Sequence, residues 1–232
     1  MRIAVYTLTR DRLEYTMAAF ASLREKAGLP FDHFVVDNGS KDGSLDWIMD
    51  VSKPYWFQNF PNNVGISAGS NRALGAILAH AKPYDLIVKF DNDCLVKSAN
   101  ILGQFCEIFA DVKRFSSAFV LSPHVEGIIN QPIRSRYTML AGRRIGLTAI
   151  VGGLFHVVSP EIYRQYRYPL NLPLARGQDD HFCRWFKRHG GEVGYVEGLT
   201  VEHMEGTDGQ ARRYPEYFKR KWQEEKTIAP SS

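Results

Sequence analysis

Two aspartates one residue apart, Asp91 and Asp93, follow a run of apolar residues in the stretch DLIVKFDNDCLV (85–96). In an extended chain, residues i and i+2 point to the same side, so both carboxylates could face one ligand. Such a pair suits a divalent cation, which in turn binds a diphosphate group. The alternative is local, because Asp and Asn also favour the turn that ends a strand. The spacing alone leaves both interpretations open.

The same stretch also resembles the nucleophile loop of haloacid-dehalogenase-type phosphatases, in which Asp-x-Asp follows an apolar strand. That resemblance implies that Asp91 attacks phosphorus, that Asp93 is the acid/base, and that GQDD (177–180) provides an acidic metal motif. Two features count against it: the loop usually follows the first strand, and Cys94 stands where Thr or Val is expected. We keep this phosphatase as an alternative function.

The elements that must position the aspartates are short apolar runs that alternate with helical patterns. The patterns predict strands at 3–8, 31–40, 55–60 and 85–91, and helices at 12–28, 43–51, 65–81 and 99–112. This alternation indicates a mainly parallel, doubly wound α/β sheet, which binds ligands at the carboxyl ends of its strands. Polar clusters occur at all four predicted strand ends: Thr7 to Arg10, Asp37 to Ser40, Asn62 to Gly65 and Asp91 to Asp93.

In the second half of the chain, predicted strands and helices no longer alternate regularly. We predict a strand at 117–123, an irregular basic stretch at 124–147, a strand at 147–159 broken by Gly152 and Gly153, and a strand-like segment at 192–206. Helices are expected from Pro160, over 177–191, and in the tail after Pro215. The arginines of the basic stretch are Arg134, Arg136, Arg143 and Arg144. They are either a solvated loop or a site for an anionic acceptor.

The composition is that of an ordinary globular protein, with 232 residues, 44% of them hydrophobic, and a net charge of +4. This charge does not by itself indicate nucleic acid, and we expect no nucleic-acid partner. The three cysteines form no CxxC pair, so neither a zinc site nor a disulfide framework is indicated. The sequence shows neither a signal peptide nor a run of about 18 apolar residues that would span a membrane. We expect a cytoplasmic protein, or one at the cytoplasmic face of a membrane.

Four motifs, taken in order, closely resemble the nucleotide-sugar-binding half of family-2-type glycosyltransferases of the GT-A fold. They are a strand ending in Thr-x-x-Arg at Thr7–Arg10, VDNGSKDGS (36–44), NVGISAGSN (63–71) and the Asp-x-Asp of Asp91 and Asp93. The resemblance implies a mainly parallel central sheet flanked by helices, with a small acceptor-side sheet. It implies a single GT-A domain over 1–232, with a donor half at 1–95, an acceptor half at 96–206 and a helical tail at 207–232.

The likeness continues over most of residues 1–206. VGGLFHVVSPEIY (151–163) is similar to the family's acceptor-junction strand, and VEHMEG (201–206) to a late Val-x-His motif whose His ligates the metal. GQDDHFCRWFKRHGG (177–191) is similar to the family's GEDxDLxxRxxxxG segment. Here Gln178 replaces the usual Glu and His181 replaces a second acidic residue, so the acceptor side departs from the family pattern.

The resemblance implies an inverting, metal-dependent enzyme that moves a sugar from a UDP- or dTDP-type donor to an acceptor hydroxyl in glycan or polysaccharide biosynthesis. Mn²⁺ or Mg²⁺ would be held by Asp93 and His203 with support from Asp91. Asp179 would be the general base, with Asp180 as the alternative. The donor-binding residues implied are Thr7, Thr9, Arg10, Asp37, Asn38, Gly65, Asn71, Asp91, Asn92 and Gly153.

Several interpretations stay open. Asp179 and Asp180 could simply stabilise a helix start, and His203 could be an ordinary core or surface histidine. The acceptor could be a glycan, a lipid-linked sugar or a small molecule, and the tail over 212–226 could contact an anionic membrane or pack on the domain. A non-catalytic sugar-nucleotide-binding module would share these motifs. A nucleotidyltransferase is disfavoured, because TLTRDRLE (7–14) has no glycine.

Overall fold

The computed structural model describes residues 1–112, 118–127 and 134–228. Residue 117 of one predicted strand, residues 128–133 of the predicted basic stretch and the side chain of Arg134 lie outside the described part.

The donor half follows the predicted order of elements closely. Its strands are β1 (Ile3–Thr9), β2 (Asp32–Asn38), β3 (Trp56–Phe60) and β4 (Leu86–Phe90). Its helices are α1 (Leu13–Lys26), α2 (Ser44–Trp47), which continues as a π-helical turn (Ile48–Ser52), and α3 (Gly65–Leu78). The strands pair in parallel in the order β3-β2-β1-β4, with Thr9 opposite Asp37 and Asp37 opposite Asn59. Their carboxyl ends therefore lie along one edge, as the sequence predicts.

The second half extends the same sheet. Its strands are β5 (Cys94–Val96), β6 (Phe119–Glu126), β7 (Arg134–Leu140), β8 (Arg143–Thr148), β9 (Phe155–Val158) and β10 (Glu192–His203). Its helices are α4 (Ile101–Val112), α5 (Pro160–Gln165), α6 (Gln178–Arg188), α7 (Gly206–Arg213) and α8 (Pro215–Ile228). Within the described ranges the strand order is β3-β2-β1-β4-β9-β6-β10-β8-β7, and β5 pairs with β10. The strands that we expected in a small acceptor-side sheet are thus hydrogen-bonded to the central one.

Two expectations for the second half are wrong in detail. Within the described part of the stretch 124–147, residues 124–126 belong to β6, and β7 and β8 form an antiparallel hairpin around Ala141 and Gly142, so these residues are not irregular. The strand expected at 147–159 is two strands: β8 ends before the two glycines and β9 begins after them, beside β4. β5 was not predicted, and α7 falls in the implied helical tail at 207–232 but before the helix expected after Pro215. β5 has three residues and α7 has eight polar or small ones, so neither has a clear apolar period.

The core lies on both faces of the sheet, which explains why the predicted strands are continuously apolar. Every residue of β4 is buried, including one lysine, Lys89. Helix α3 packs on β1 and β2 with Ala73, Leu74 and Ile77, at helical spacing. In the described part of the chain, no helix combines the length and the apolar character needed to cross a membrane.

Candidate active site

One cavity of about 260 Å³ opens at the carboxyl ends of β1, β2 and β4. It collects side chains from the donor half, from the start of α6, from the end of β10 and from α7 and α8. Its charged and imidazole groups are Arg10, Arg12, Lys89, Asp91, Asp93, Asp179, His203 and Lys221. Thr9, Asn38 and Asn92 also line it, so the cavity contains most of the predicted site residues.

Asp93 and His203 meet through the register of one antiparallel strand pair. β5 follows Asp93 directly and pairs with the end of β10, so that Cys94 lies opposite His203. The backbone N–H of Met204 donates to the carbonyl oxygen of Asp93 at 3.0 Å and closes the pair. As a result, Asp93 Oδ2 lies 3.5 Å from His203 Nε2. The predicted pairing of these two distant residues in one cleft agrees with this geometry.

The amide nitrogen of Gln210, on α7, lies among the groups that would bind a cation. Gln210 Nε2 is 3.1 Å from Asp93 Oδ2, 3.1 Å from His203 Nε2 and 2.9 Å from the carbonyl oxygen of Met204. A carboxylate oxygen, an imidazole nitrogen and a carbonyl oxygen form a donor set that suits Mn²⁺ or Mg²⁺. These donors would suit a divalent cation once both the Gln210 amide and the Arg12 guanidinium, which contact Asp93 Oδ2, withdraw from it. In the described conformation, no three Asp, Glu, His or Cys side chains converge as a metal site.

Arg12 is a site residue that we did not predict. Its guanidinium donates to Asp93 Oδ2 at 2.8 Å, to Asn92 Oδ1 at 3.0 Å and to Gln210 Oε1 at 2.5 Å. Burial raises the pKa of Asp93, but Arg12 and His203 outweigh it and hold that pKa below its ordinary value. Asp11 and Arg12 have φ of 49° and 60°, a strained turn that aims the guanidinium into the cavity.

The sequence contained a signal for Arg12, because Thr-x-x-Arg occurs twice, as Thr7–Arg10 and as Thr9–Arg12. We chose the first; in the structure Thr9, Arg10 and Arg12 line the cavity, whereas Thr7 does not. Thr7 is fully buried and lies 3.0 Å from His33 Nε2 through its hydroxyl, so it does not line the site. The overlapping repeat has no feature in sequence that shows which threonine ends the strand.

Three other predicted donor residues lie behind the cavity wall. Asp37 is fully buried and accepts hydrogen bonds from Thr9 Oγ1 at 3.1 Å and from the Ser40 backbone at 3.0 Å. Asn71 exchanges two hydrogen bonds with the backbone of Tyr168, at 2.8 and 3.0 Å. Gly65 has φ of +82° and leaves no room for a side chain against Leu174. These residues shape the wall, and their contact with a donor stays a prediction.

Asp179 and Asp180 have different surroundings at the start of α6. Asp179 lines the cavity, and its Oδ1 atom is buried without a hydrogen-bond partner among the described residues. Asp180 points away from the cavity and accepts a hydrogen bond from Arg184 at 2.8 Å. The helix-start interpretation therefore suits Asp180 better than Asp179. Gln178 is buried and donates to the carbonyl oxygen of Pro173 at 2.6 Å, so it holds the preceding loop.

Lys89 contacts Asp91, and Gly153 lies beside both Lys89 and Asp179. Lys89 Nζ donates to Asp91 Oδ1 at 2.7 Å and to the carbonyl oxygen of Gly153 at 2.5 Å. A Cβ atom at Gly153 would lie 2.4 Å from Lys89 Nζ and 2.6 Å from Asp179 Oδ1. Burial lowers the pKa of Lys89, but Asp91 and Asp179 raise it above its ordinary value. Lys89 therefore stays charged in this acidic site.

The described part of the tail packs on the domain, and its contact with a membrane stays a prediction. Glu224 on α8 accepts hydrogen bonds from Arg10 at 2.5 Å and from Asn63 at 2.8 Å. The Tyr217 ring lies 4.8 Å from the guanidinium carbon of Arg12. Tyr217, Phe218 and Lys221 line the cavity. Arginines 136, 143 and 144 lie on the β7–β8 hairpin, where they contact Glu192, Gln104 and Tyr137, outside the cavity lining.

Comparison with known proteins gives a likeness in structure alone. No family model matches the sequence, and no curated protein matches it. Among solved structures, TarS from S. aureus has a TM-score of 0.64 and 13% identity, over 88% of this chain and 37% of that chain. GalNAc-T7, in a structure with UDP, GalNAc and Mn²⁺, has a TM-score of 0.66 and 13% identity, over 88% and 44%.

A third solved structure covers the whole of this chain. It is the mannosyltransferase PcManGT from Pyrobaculum calidifontis in complex with GDP-Man and Mn²⁺, with a TM-score of 0.63 and 13% identity. The match covers 65% of that protein, so this chain spans between 37% and 65% of the length of these three neighbours. The predicted architecture is confirmed: the chain has the GT-A fold that these glycosyltransferases share.

Proposed function

We propose that this protein is a cation-assisted, inverting glycosyltransferase that moves a sugar from a nucleoside diphosphate, UDP or dTDP, to an acceptor hydroxyl. The observation that supports this best is the meeting of Asp91, Asp93, His203 and Asp179 in one cavity at the carboxyl ends of parallel strands. Neighbours with this fold bind UDP, UDP-GlcNAc or GDP-Man, which agrees with a sugar-nucleotide donor.

The cation would be Mn²⁺ or Mg²⁺, held by Asp93 and His203 with support from Asp91. When bound, it would neutralise charge that develops on the leaving diphosphate. The chain also provides cations of its own, since Arg10, Arg12 and Lys221 line the cavity. These side chains would bind and orient the anionic diphosphate by charge-assisted hydrogen bonds.

Asp179 would act as the general base. In a single displacement, the acceptor oxygen forms a bond to the anomeric carbon while the bond from that carbon to the diphosphate oxygen breaks. Asp179 takes the proton of the acceptor hydroxyl, and the anomeric configuration inverts. Its unpartnered Oδ1 atom is the hydrogen-bond acceptor that this step requires.

The phosphatase is less well supported by the same geometry. One of the two carboxylate oxygens of Asp91, the proposed nucleophile, is bound to Lys89 at 2.7 Å. The proposed acid/base Asp93 is in a buried ion pair with Arg12. Both carboxylates are therefore held by cations, as expected for binding groups.

Turnover of sugar nucleotides tests the proposal. We expect the protein with MnCl₂ to release a nucleoside diphosphate from at least one of UDP-GlcNAc, UDP-GalNAc, UDP-glucose, dTDP-rhamnose or GDP-mannose, and to bind the matching diphosphate in calorimetry. Binding without turnover, with a range of sugar acceptors, would favour the non-catalytic module. Phosphate release from p-nitrophenyl phosphate, lost in Asp91→Asn, would favour the phosphatase.

A further inference from the structure

Lys89 is a charged residue in the middle of a fully buried strand, with 3% of its surface exposed. Lysine is almost never buried to this extent without partners, because desolvating an ammonium group is costly. Its three N–H donors have two partners: Asp91, which follows β4, and the carbonyl oxygen of Gly153, which precedes β9. One ammonium thus ties the predicted donor half to the predicted acceptor half.

Asp179 approaches the same face of Gly153 as Lys89. A Cβ atom on this glycine would lie 2.4 Å from Lys89 Nζ and 2.6 Å from Asp179 Oδ1, so only the absence of a side chain lets both groups approach here. The carboxylate therefore rests against a glycine whose carbonyl group is fixed by Lys89. Among the described residues Asp179 Oδ1 has no hydrogen-bond partner, so the contact with Gly153 and the nearby ammonium are the neighbours that can restrain it.

We propose that Lys89 is a positioning residue for Asp179: its ammonium fixes the Gly153 wall against which the carboxylate rests and ties that wall to Asp91. The inference rests on the proposed glycosyl transfer. Loss of the ammonium leaves Asp91 and the Gly153 carbonyl without a buried partner and lets the wall shift. A displacement of about 1 Å of a catalytic group costs roughly 100-fold in rate.

A double-mutant cycle tests this role. We expect Lys89→Met to lower kcat about 100-fold with a much smaller change in the donor KM. In the Asp179→Asn background, we expect Lys89→Met to cause no further loss. Lys89→Gln, which keeps one N–H donor for Gly153, should retain more activity than Lys89→Met. It replaces Lys89→Met in the cycle if thermal unfolding shows that the methionine variant does not fold.

Two results would overturn the role of Lys89. One is an unchanged kcat in a folded variant, and the other is a loss that multiplies with that of Asp179→Asn, as independent effects do. A wild-type protein that turns over none of the sugar nucleotides would instead count against the proposed function. The two failures are therefore distinguishable.

A different observation concerns the C-terminal strap, by which we mean α7 and α8 (residues 206–228). The strap places a carboxylate at one end of the cavity and a hydrogen-bond donor at the other. Glu224 puts a carboxylate on Arg10 and Asn63, where an anion would bind. Gln210 puts an amide N–H group between Asp93 and His203, where a cation would bind. The Glu224 carboxylate thus makes contacts expected of the diphosphate, and the Gln210 N–H group lies where the metal ion is expected.

The remaining space is small for a sugar nucleotide. Ligand pockets usually measure about 300 to 1,000 Å³, and the cavity beneath the strap has about 260 Å³. We infer that the strap and the donor compete for the cavity, so that a nucleoside diphosphate with its cation displaces residues 206–228. This inference also rests on the proposed donor site.

Hydrogen exchange and calorimetry on the full chain test the competition. We expect saturating UDP with MnCl₂ to speed amide exchange across residues 206–228. We expect Glu224→Gln to bind UDP about threefold more tightly, since it loses one partly exposed ion pair. The matched control is Glu216→Gln, an exposed position on the same helix outside the cavity lining.

Slower exchange of the strap on UDP binding, or the same UDP affinity in Glu224→Gln and wild type, would overturn the inference. If UDP does not bind at all, the proposed donor site fails instead. The strap contact is then still testable, because Glu224→Gln should speed exchange over 215–228 without any ligand. Unchanged exchange in that variant would show that Glu224 does not hold the strap.

Discussion

Arg12 Nη1 lies 2.8 Å from Asp93 Oδ2, and this ion pair joins the start of α1 to the segment after β4. The two side chains are 8% and 12% exposed, so the ion pair is largely shielded from solvent. Removing one partner of such a pair leaves an uncompensated buried charge. We expect Arg12→Met to lower the free energy of unfolding by about 3 kcal/mol, measured by urea denaturation. The double variant Arg12→Met, Asp93→Asn is the control and should recover much of that loss; equal stability of the single and double variants would contradict this expectation.

Gly153 and Gly152 form a matched pair for testing the wall of the site. A Cβ atom at Gly153 would lie 2.4 Å from Lys89 Nζ, whereas a Cβ atom at Gly152 would meet nothing within 4 Å. We expect Gly153→Ala to displace Lys89 or Asp179 and to reduce kcat by at least about tenfold. Gly152→Ala should keep the wild-type rate. Steady-state kinetics of both variants check this, and equal rates would show that the wall tolerates a methyl group.

Asp179 and Asp180 are distinguished by their surroundings, and the proposed base is Asp179. We expect Asp179→Asn to reduce kcat by about 10²- to 10⁴-fold, the usual contribution of a general base. Asp180→Asn removes only an exposed bond to Arg184 and should retain most of the activity. Turnover of the preferred sugar nucleotide checks both variants. The opposite ranking would move the base to Asp180.

His203 is the proposed imidazole ligand of the cation. We expect His203→Ala to weaken Mn²⁺-dependent UDP binding by at least about 10-fold, since even a residue that only orients a metal ligand contributes about 10- to 100-fold. His181→Ala is the control, because His181 bonds to Tyr166 and does not line the cavity. Calorimetry with UDP, with MnCl₂ and with EDTA, measures the effect. Equal Mn²⁺ dependence in His203→Ala and wild type would remove His203 from the metal site.

Two fully buried histidines make stability depend on pH. Burial lowers the pKa of His33 and of His156 to about 3, so both stay neutral in the folded protein while they protonate in the unfolded chain near pH 6.5. The unfolded state therefore binds more protons between about pH 6.5 and pH 3, and stability falls as the pH falls through this window. Each histidine contributes up to about 1.4 kcal/mol per pH unit.

Replacing one of these histidines separates its contribution from that of the acidic groups. We expect the free energy of unfolding of His156→Phe to depend less steeply on pH between 6.5 and 4 than that of wild type. His189→Gln, at an exposed position, should keep the wild-type slope. Urea denaturation at several pH values gives the slopes. Parallel curves for His156→Phe and wild type would mean that His156 does not titrate differently on unfolding.

Much of the architecture was predictable because it is encoded locally. Mainly apolar runs such as Ile3–Leu8 and Leu86–Phe90, interrupted only by Thr7 and Lys89, mark strands that are buried on both faces, and polar residues follow where each strand leaves the core. The hairpin of β7 and β8 was missed because its exposed edge mixes Arg136 and Arg144 with apolar residues. A half-exposed edge strand has no continuous apolar run, and its charges resemble those of a loop.

The sequence by itself determined the order of most elements, the edge of the sheet where polar side chains gather, and the types of side chain available there. These follow from hydrophobic periodicity and from the direction of parallel strands, which are local properties. Only the tertiary structure brought His203 next to Asp93, selected Arg12, and laid Glu224 on Arg10. Each of these contacts joins residues at least 80 positions apart. Their pairing depends on strand register and helix packing across the whole sheet, which no local pattern records.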